Sequence, residues 1–352
     1  MLGAGPAPLS LRPMIFPELR IEATRGDLIE VTHQVTAAVV DADGRILAAS
    51  GDPESETWWR SAAKPFQSLP LVQDGVVERF GLEDAELAFA CGSNSSEPAH
   101  RAAAERFMQK VGVTEKQLAC GIHTPLSPVI ARDVACGTAT MTPAWSNCAG
   151  KHIGMLALAR HHGWPSEGYQ AADHPVQVRI LTEISRCTGI DRRDIRLAVD
   201  GCTAVCFGLS LVAMARAYAG IGASSDAARG RIAGAMMRHP FLVAGTGRLC
   251  TDLMAGMPGR IVAKVGADGI YCAAVPELRL GLALKVADGD WRSSGLALLA
   301  VLGQLFERYR PDGRLAVPGT VVANYGPQSI LNTRGVVTGE LRTAGVLHFF
   351  DD

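Results

Sequence analysis

The feature that most narrows the fold is the order in which strand-like and helix-like segments follow one another. From Val31, VTHQVTAAVV leads into DADG and then RILAAS. β-Branched residues suit a pleated surface and Asp and Gly suit a tight turn, so this stretch predicts strand, turn and strand. Two strands alone are not stable and need further strands or helices to pack on. Downstream, RIVAKV, GIYCAAV and LRLGLALKVADG predict more strands, with Pro276 between two of them. Helical spacing runs through SSEPAHRAAAERFMQKVG, CAGKHIGMLALARHHG, VQVRILTEISRCTG and SGLALLAVLGQLFERY, and further helices are expected over 207–219 and 227–237. Ser96 can cap the first of these, and Thr114 with Gln117 has capping-box spacing. The succession fits an α/β fold with a mixed, largely antiparallel sheet under helical layers better than regularly alternating βα units.

Length and composition bound the rest. The chain has 352 residues, of which 48% are hydrophobic and 20% charged, with a formal net charge of −1. That is enough chain for a substantial core. Residues 1–14, rich in Gly and Pro, read as an extended arm, and residues 15–352 as one large domain or two closely packed subdomains. The mixed charges resemble neither a nucleic-acid surface nor a polybasic membrane anchor. No apolar run reaches the length of a spanning helix, and no secretory leader is evident. Nine cysteines, an odd number in a chain of this size, fit reduced thiols and a cytoplasmic location.

Three segments carry residues with chemical potential. In Arg60-Ser61-Ala62-Ala63-Lys64, a helical start at Ser61 puts Ser61 and Lys64 on one face, where a neutral Lys64 can deprotonate the hydroxyl. The same pattern also describes a surface helix start with a serine cap. In Cys91-Gly92-Ser93-Asn94-Ser95-Ser96, Ser93 is a second nucleophile or an orienting hydroxyl, unless the loop only caps the following helix. The third focus joins Asn147-Cys148-Ala149-Gly150-Lys151-His152 to Asp200-Gly201-Cys202. Two thiolates, a carboxylate and a deprotonated amine can complete a tetrahedral Zn²⁺ site, although lysine is an uncommon zinc ligand. Buried structural cysteines, or a Cys148–His152 thiolate–imidazole pair, are the competing readings. His161 and His162 suit the end of their helix. The loop Ala244-Gly245-Thr246-Gly247-Arg248 offers backbone donors and an arginine for a carboxylate, and Lys264 ends a strand-like run. No glycine spacing matches a nucleotide-binding loop.

Taken in order, WWRSAAKPFQSLPL, CGSNSSEPAH, WSNCAGKHIGMLALA, AVDGCTAVCFGLSL, HPFLVAGTGRLCTDLM and KVGADGIYCAAV resemble the rhizobial-type, or thermolabile, L-asparaginase family. The resemblance implies an architecture similar to serine β-lactamases and penicillin-binding proteins, a homodimer, and hydrolysis of L-asparagine to L-aspartate and ammonia. It implies two Ser–Lys pairs, Ser61–Lys64 and Ser93–Lys264, with Ser61 the leading nucleophile. It also implies a Zn²⁺ neighbourhood at Cys148, Lys151, Asp200 and Cys202, with Asp200 reached through water. The chain departs from the family at Ala149, where the pattern commonly carries a serine, and this bears on substrate strictness. Two alternatives stay open: a broader serine amidase or β-lactam-directed hydrolase, and a zinc-stabilised binding protein without catalysis.

Overall fold

The computed structural model describes residues 16–223 and 226–350, so the N-terminal arm lies outside the described residues. Strands β1 (Leu19–Arg25), β2 (Leu28–Asp41) and β3 (Ile46–Ser50) open the fold, and β2 and β3 form the expected hairpin around DADG. Next come β4 (Glu56–Trp58), β5 (Arg196–Val199), β6 (Val205–Ser210), β7 (Val262–Val265), β8 (Ile270–Val275) and β9 (Leu280–Val286). The last three are β10 (Gln328–Leu331), β11 (Val337–Ala344) and β12 (His348–Phe349).

Nine of these build one antiparallel sheet in the order β10-β11-β1-β2-β9-β8-β7, with β3 on β2 and β12 on β3. The middle of this sheet is made from chain ends some 240 residues apart: Ala37 faces Leu284 and Val39 faces Leu282. Both faces are covered by helices, so β8 is buried along its whole length. A strand buried on both faces reads as a continuous apolar run, which is why IYCAAV lacks alternation. Helix Leu211–Ala223 packs on this sheet, where Gly281 permits backbone contact with Ala215 and Ala219. A smaller sheet, β4-β6-β5, lies beside the helical layer. One hydrophobic core runs from Leu19 and Val39 of the large sheet through Phe89 and Leu156 of the helical region. The arrangement is the expected mixed α/β fold with a largely antiparallel sheet and helical layers.

Two local expectations are corrected. Phe207 lies in the central strand β6, and the helix expected over 207–219 begins only at Leu211. A short apolar run has the same composition in a buried strand and a buried helix, and here pairing with β4 and β5 decides. Ser96 does not cap helix Pro98–Val111: its φ is +61°, its hydroxyl donates to Trp145 O (2.6 Å), and Glu97 is the N-cap. Glu97 N–H donates to His100 Nδ1 (3.2 Å).

Candidate active site

Two glycines set the site's geometry. Helix Ala149–His162 crosses helix Asp84–Ala90 at Gly150, where a Cβ would collide with the Phe89 carbonyl. At Gly92 an added Cβ would meet Leu242 O at 2.7 Å, and the next residue anchors there, Ser93 N–H donating to Val243 O (2.8 Å). These close approaches bring Asn147–Lys151, Gly92–Ser93 and the 242–248 loop together. Lys264 enters from β7, an edge strand of the large sheet.

Ser93 Oγ is where the lysines converge. Lys264 Nζ lies 2.8 Å and Lys64 Nζ 3.1 Å from it, and all three residues are buried. Lys64 also donates to Gly92 O (2.7 Å) and Asn147 O (3.2 Å). Lys64 thus has three polar contacts, whereas among the described residues Lys264 has two, Ser93 Oγ and Val265 O (2.8 Å). Burial first, then the neighbouring Lys64 charge, brings its pKa down to about 7. Lys264 is therefore the amine placed to exchange a proton with Ser93.

Ser61 occupies a 3-10 turn, Arg60–Ala63, directly before the short helix Lys64–Gln67. It is partly exposed, and among the described residues its hydroxyl forms no hydrogen bond with Lys64 or any other side chain. Arg60, with φ +52°, holds this turn in place: its Nε donates to Asp200 Oδ1 (3.0 Å), and its Nη1 pairs with Asp268. Arg60, Ser96, Thr203 and Asp268 are four of the five described non-glycine residues with positive φ, and all adjoin site segments. Backbone strain of this kind collects at functional sites. Nothing in the local sequence signals the Arg60 link, because its partners lie 140 and 208 residues away.

The second cluster is built on sulfur. Asp200 and Cys202 sit in the tight β5–β6 turn, closed by Asp200 N–H donating to Ala204 O (2.9 Å). Lys151 Nζ donates to Cys202 Sγ (2.9 Å). Cys202, helped by Lys64 and Lys151, pulls the Cys148 thiol well down, while the neighbouring Cys148 and burial push the Cys202 thiol up. Burial opposes the charge on Lys151, but Cys202, Cys148 and Asp200 outweigh it and raise the amine above the usual lysine range. Burial likewise opposes the charge on Asp200, yet Lys151 and Arg60 hold its carboxyl below the usual range.

As a donor set, two sulfurs and one nitrogen suit Zn²⁺ once Lys151 gives up its proton, whereas Asp200 is turned to Arg60 and Gly201. Among the described residues no three His, Cys, Asp or Glu side chains converge as a metal site, so any metal here depends on the lysine. His152 does not pair with Cys148; its Nδ1 lies 2.7 Å from Tyr169 Oη. His162 Nε2 lies 2.9 Å from Asp74 Oδ2.

Ser61-x-x-Lys64, Ser93-Asn94-Ser95 and Lys264-Val265-Gly266 thus come together from three parts of the chain.

A family model described as L-asparaginase II matches residues 21–343. No curated protein matches the sequence. Among solved structures, Mglu in its native form is 15% identical with a TM-score of 0.40; the match covers 82% of this chain and 66% of that one, so the chain spans just under two thirds of Mglu's length. A β-lactamase from Mycobacterium bovis is 15% identical with a TM-score of 0.32, covering 76% of this chain and 94% of the other. The octameric penicillin-binding protein homologue from Pyrococcus abyssi is 13% identical with a TM-score of 0.34, covering 80% and 75%. Among the described residues, no helix is long and apolar enough to cross a membrane.

Proposed function

The chain belongs to the L-asparaginase II family, a family of amidohydrolases, and from that premise we propose that it hydrolyses L-asparagine to L-aspartate and ammonia through a serine–lysine centre. The observation that carries this reading is Ser93 Oγ held between Lys64 and Lys264, the latter an amine with a pKa brought down to about 7. A base poised near neutrality is what general-base catalysis requires.

In this reading Ser61, the partly exposed hydroxyl with no hydrogen-bond partner among the described residues, attacks the side-chain carbonyl. Its proton passes to Ser93 as the Ser93 proton passes to Lys264. The tetrahedral adduct collapses to a Ser61 ester, and the amide nitrogen takes that proton back along the same path and leaves as ammonia. Water then attacks the ester, giving its proton to Lys264 by way of Ser93, and aspartate departs as Ser61 is reprotonated. Lys64, in contact with Ser93, orients that hydroxyl and donates toward negative charge arising at either serine.

A second reading makes Ser93 the acylated residue, since both lysines already touch it. Ser61 is preferred because Ser93 is only 3% exposed and a nucleophile must meet its substrate. Acid quenching during asparagine turnover, followed by peptide mass mapping, separates the two. A β-aspartyl adduct is expected on the peptide containing Ser61; an adduct on Ser93 reverses the roles, and no adduct on either removes the covalent route. Ammonia release from L-asparagine is expected to exceed that from L-glutamine. Comparable rates, or turnover of β-lactams alone, would reject the asparaginase assignment.

We further propose that Cys148, Lys151 and Cys202 hold Zn²⁺, with Asp200 reached through water. The ion would supply a fixed positive charge that organises the substrate pocket, and the proton path through Ser93 does not involve it.

A further inference from the structure

We infer that Arg248 is the receptor for the α-carboxylate of the substrate, so that the enzyme selects amides carrying an amino-acid head over simple amides. The inference rests on the amidohydrolase reading above and adds what that reading lacks, a group that recognises the end of the substrate remote from the reacting bond.

The argument starts from charge. Lys64, Lys264 and Arg248 gather around the segment Ser93–Ser95, and among the described residues none of the three enters an ion pair with a carboxylate. The two acidic side chains on the adjoining segments are engaged elsewhere. Glu97 accepts from Thr246 N–H (2.8 Å) and Thr246 Oγ1 (2.6 Å), and Asp252 accepts from Tyr325 Oη (2.6 Å). Arg248 adds a positive charge beside this segment that an incoming carboxylate can neutralise.

Of the three basic side chains, Arg248 is the one placed to bind a ligand. The lysines are engaged with Ser93 and with backbone carbonyls. Arg248 is half-buried, and among the described residues its one hydrogen bond to another side chain runs from Nη1 to Ser95 Oγ (3.1 Å). A guanidinium has five N–H donors in a planar fork that matches a carboxylate, so most of the fork remains available.

The loop that carries Arg248 is held firmly enough to position it. Gly245 has φ +123° and Gly247 φ +64°, conformations that favour glycine. Gly245 N–H donates to Thr251 Oγ1 (3.0 Å), and Ser95 Oγ donates to Ala244 O (2.8 Å). An added Cβ at Gly245 would run into Glu97 and would lie 2.9 Å from Ser95 Oγ. Arg248 is thereby tied through Ser95 to the loop that carries Ser93, two residues away. A small substrate can then bridge from reacting hydroxyl to guanidinium.

The test compares two amides that differ only in the carboxylate, L-asparagine and 3-aminopropanamide, with the full chain as wild type, Arg248→Met and Arg248→Lys. Arg248→Met is expected to raise KM for L-asparagine about 10- to 100-fold, the range for losing a charge-assisted hydrogen-bonded pair. It should lower kcat/KM for 3-aminopropanamide at least tenfold less, and Arg248→Lys should recover part of the asparagine KM. Equal losses on both amides, or an unchanged asparagine KM, would overturn the inference, because a merely structural role does not discriminate between substrates. If the wild type turns over neither amide, the serine–lysine reading fails on its own. L-Aspartate binding by calorimetry then decides the role of Arg248: loss of binding in Arg248→Met supports it, and retained or absent wild-type binding removes it.

Discussion

Two lysines buried in adjacent parts of one site are driven in opposite directions. Lys264 has burial and the Lys64 ammonium against it, and its pKa falls to about 7. Lys151 is as deeply buried, but Cys202, Cys148 and Asp200 surround it and its pKa rises. Desolvation is common to both, so the charge of the neighbours decides. The difference separates two tasks: an amine that can take and return a proton near neutrality, and an amine locked as a cation until something displaces its proton. Lys64 stands between the two groups, touching Ser93 on one side and lowering the Cys148 thiol on the other.

The strongest way to break this comparison is to remove the titrating amine. Lys264→Met is expected to lower asparagine turnover by about 10²–10⁴-fold, the usual contribution of a general base. In the wild type, kcat/KM should rise with pH through about 7, because the neutral amine is the active form. The same substitution should stabilise the fold. A lysine with a folded pKa of about 7 and an unfolded pKa of about 10.4 is more protonated in the unfolded chain between those values, so wild-type stability climbs as pH rises across that window. Below it the full burden of the buried charge is present, on the order of a few kcal/mol. Lys264→Met should gain roughly that much at pH 7 and lose the climb, as urea melts at pH 6, 8 and 10 would show. A flat wild-type pH–rate profile together with an unchanged stability slope would mean that Lys264 is not the base.

On the sulfur side the expected effects are smaller for chemistry and larger for metal. Cys148→Ala or Cys202→Ala should sharply weaken Zn²⁺ binding measured by direct metal analysis. Acid should release zinc from the wild type as the thiols and Lys151 take up protons. Chelation should impair substrate binding or stability more than it impairs acylation. Full zinc retention after both substitutions would defeat the ligand assignment and leave the Ser93 proton path untouched.

These two regions were not equally legible in the sequence. The four candidate positions lay in recognisable segments, and the hairpin around DADG and the helix carrying LALLAVLGQLFERY announced themselves through turn chemistry and periodicity. The convergence of both lysines on Ser93 left no local trace, because it joins residues 29 and 171 apart and depends on close approaches at Gly92 and Gly150. The expected Ser61–Lys64 hydrogen bond is replaced by Lys64 reaching across to the next loop. Residues 207–210 read as helix because strand pairing, not composition, fixes their state. The grouping of Lys151 with Cys148 and Cys202 was open in the residues as one of several readings, since nothing in the spacing of Cys148 and Lys151 specifies Cys202.

The smallest effect sharpens the boundary between the two regions. Tyr169 Oη accepts from Ala119 N–H (2.8 Å) and lies 2.7 Å from His152 Nδ1. Burial, with Lys151 and Lys64 nearby, pulls His152 well below the ordinary histidine range and keeps it neutral at pH 7. One proton lies between the tyrosine oxygen and Nδ1, and the tautomer of the neutral imidazole sets which of them donates. Tyr169→Phe removes the shared oxygen and leaves two buried groups, Ala119 N–H and His152 Nδ1, without partners. The expected loss is about 1–3 kcal/mol in urea unfolding at pH 7. Because the hydroxyl lies on the Lys151 side, the limb of the pH–rate profile near 7 should stay where it is while stability falls. A displaced limb would mean that the Tyr169–His152 pair reaches Lys264, and that the two lysines titrate as one system.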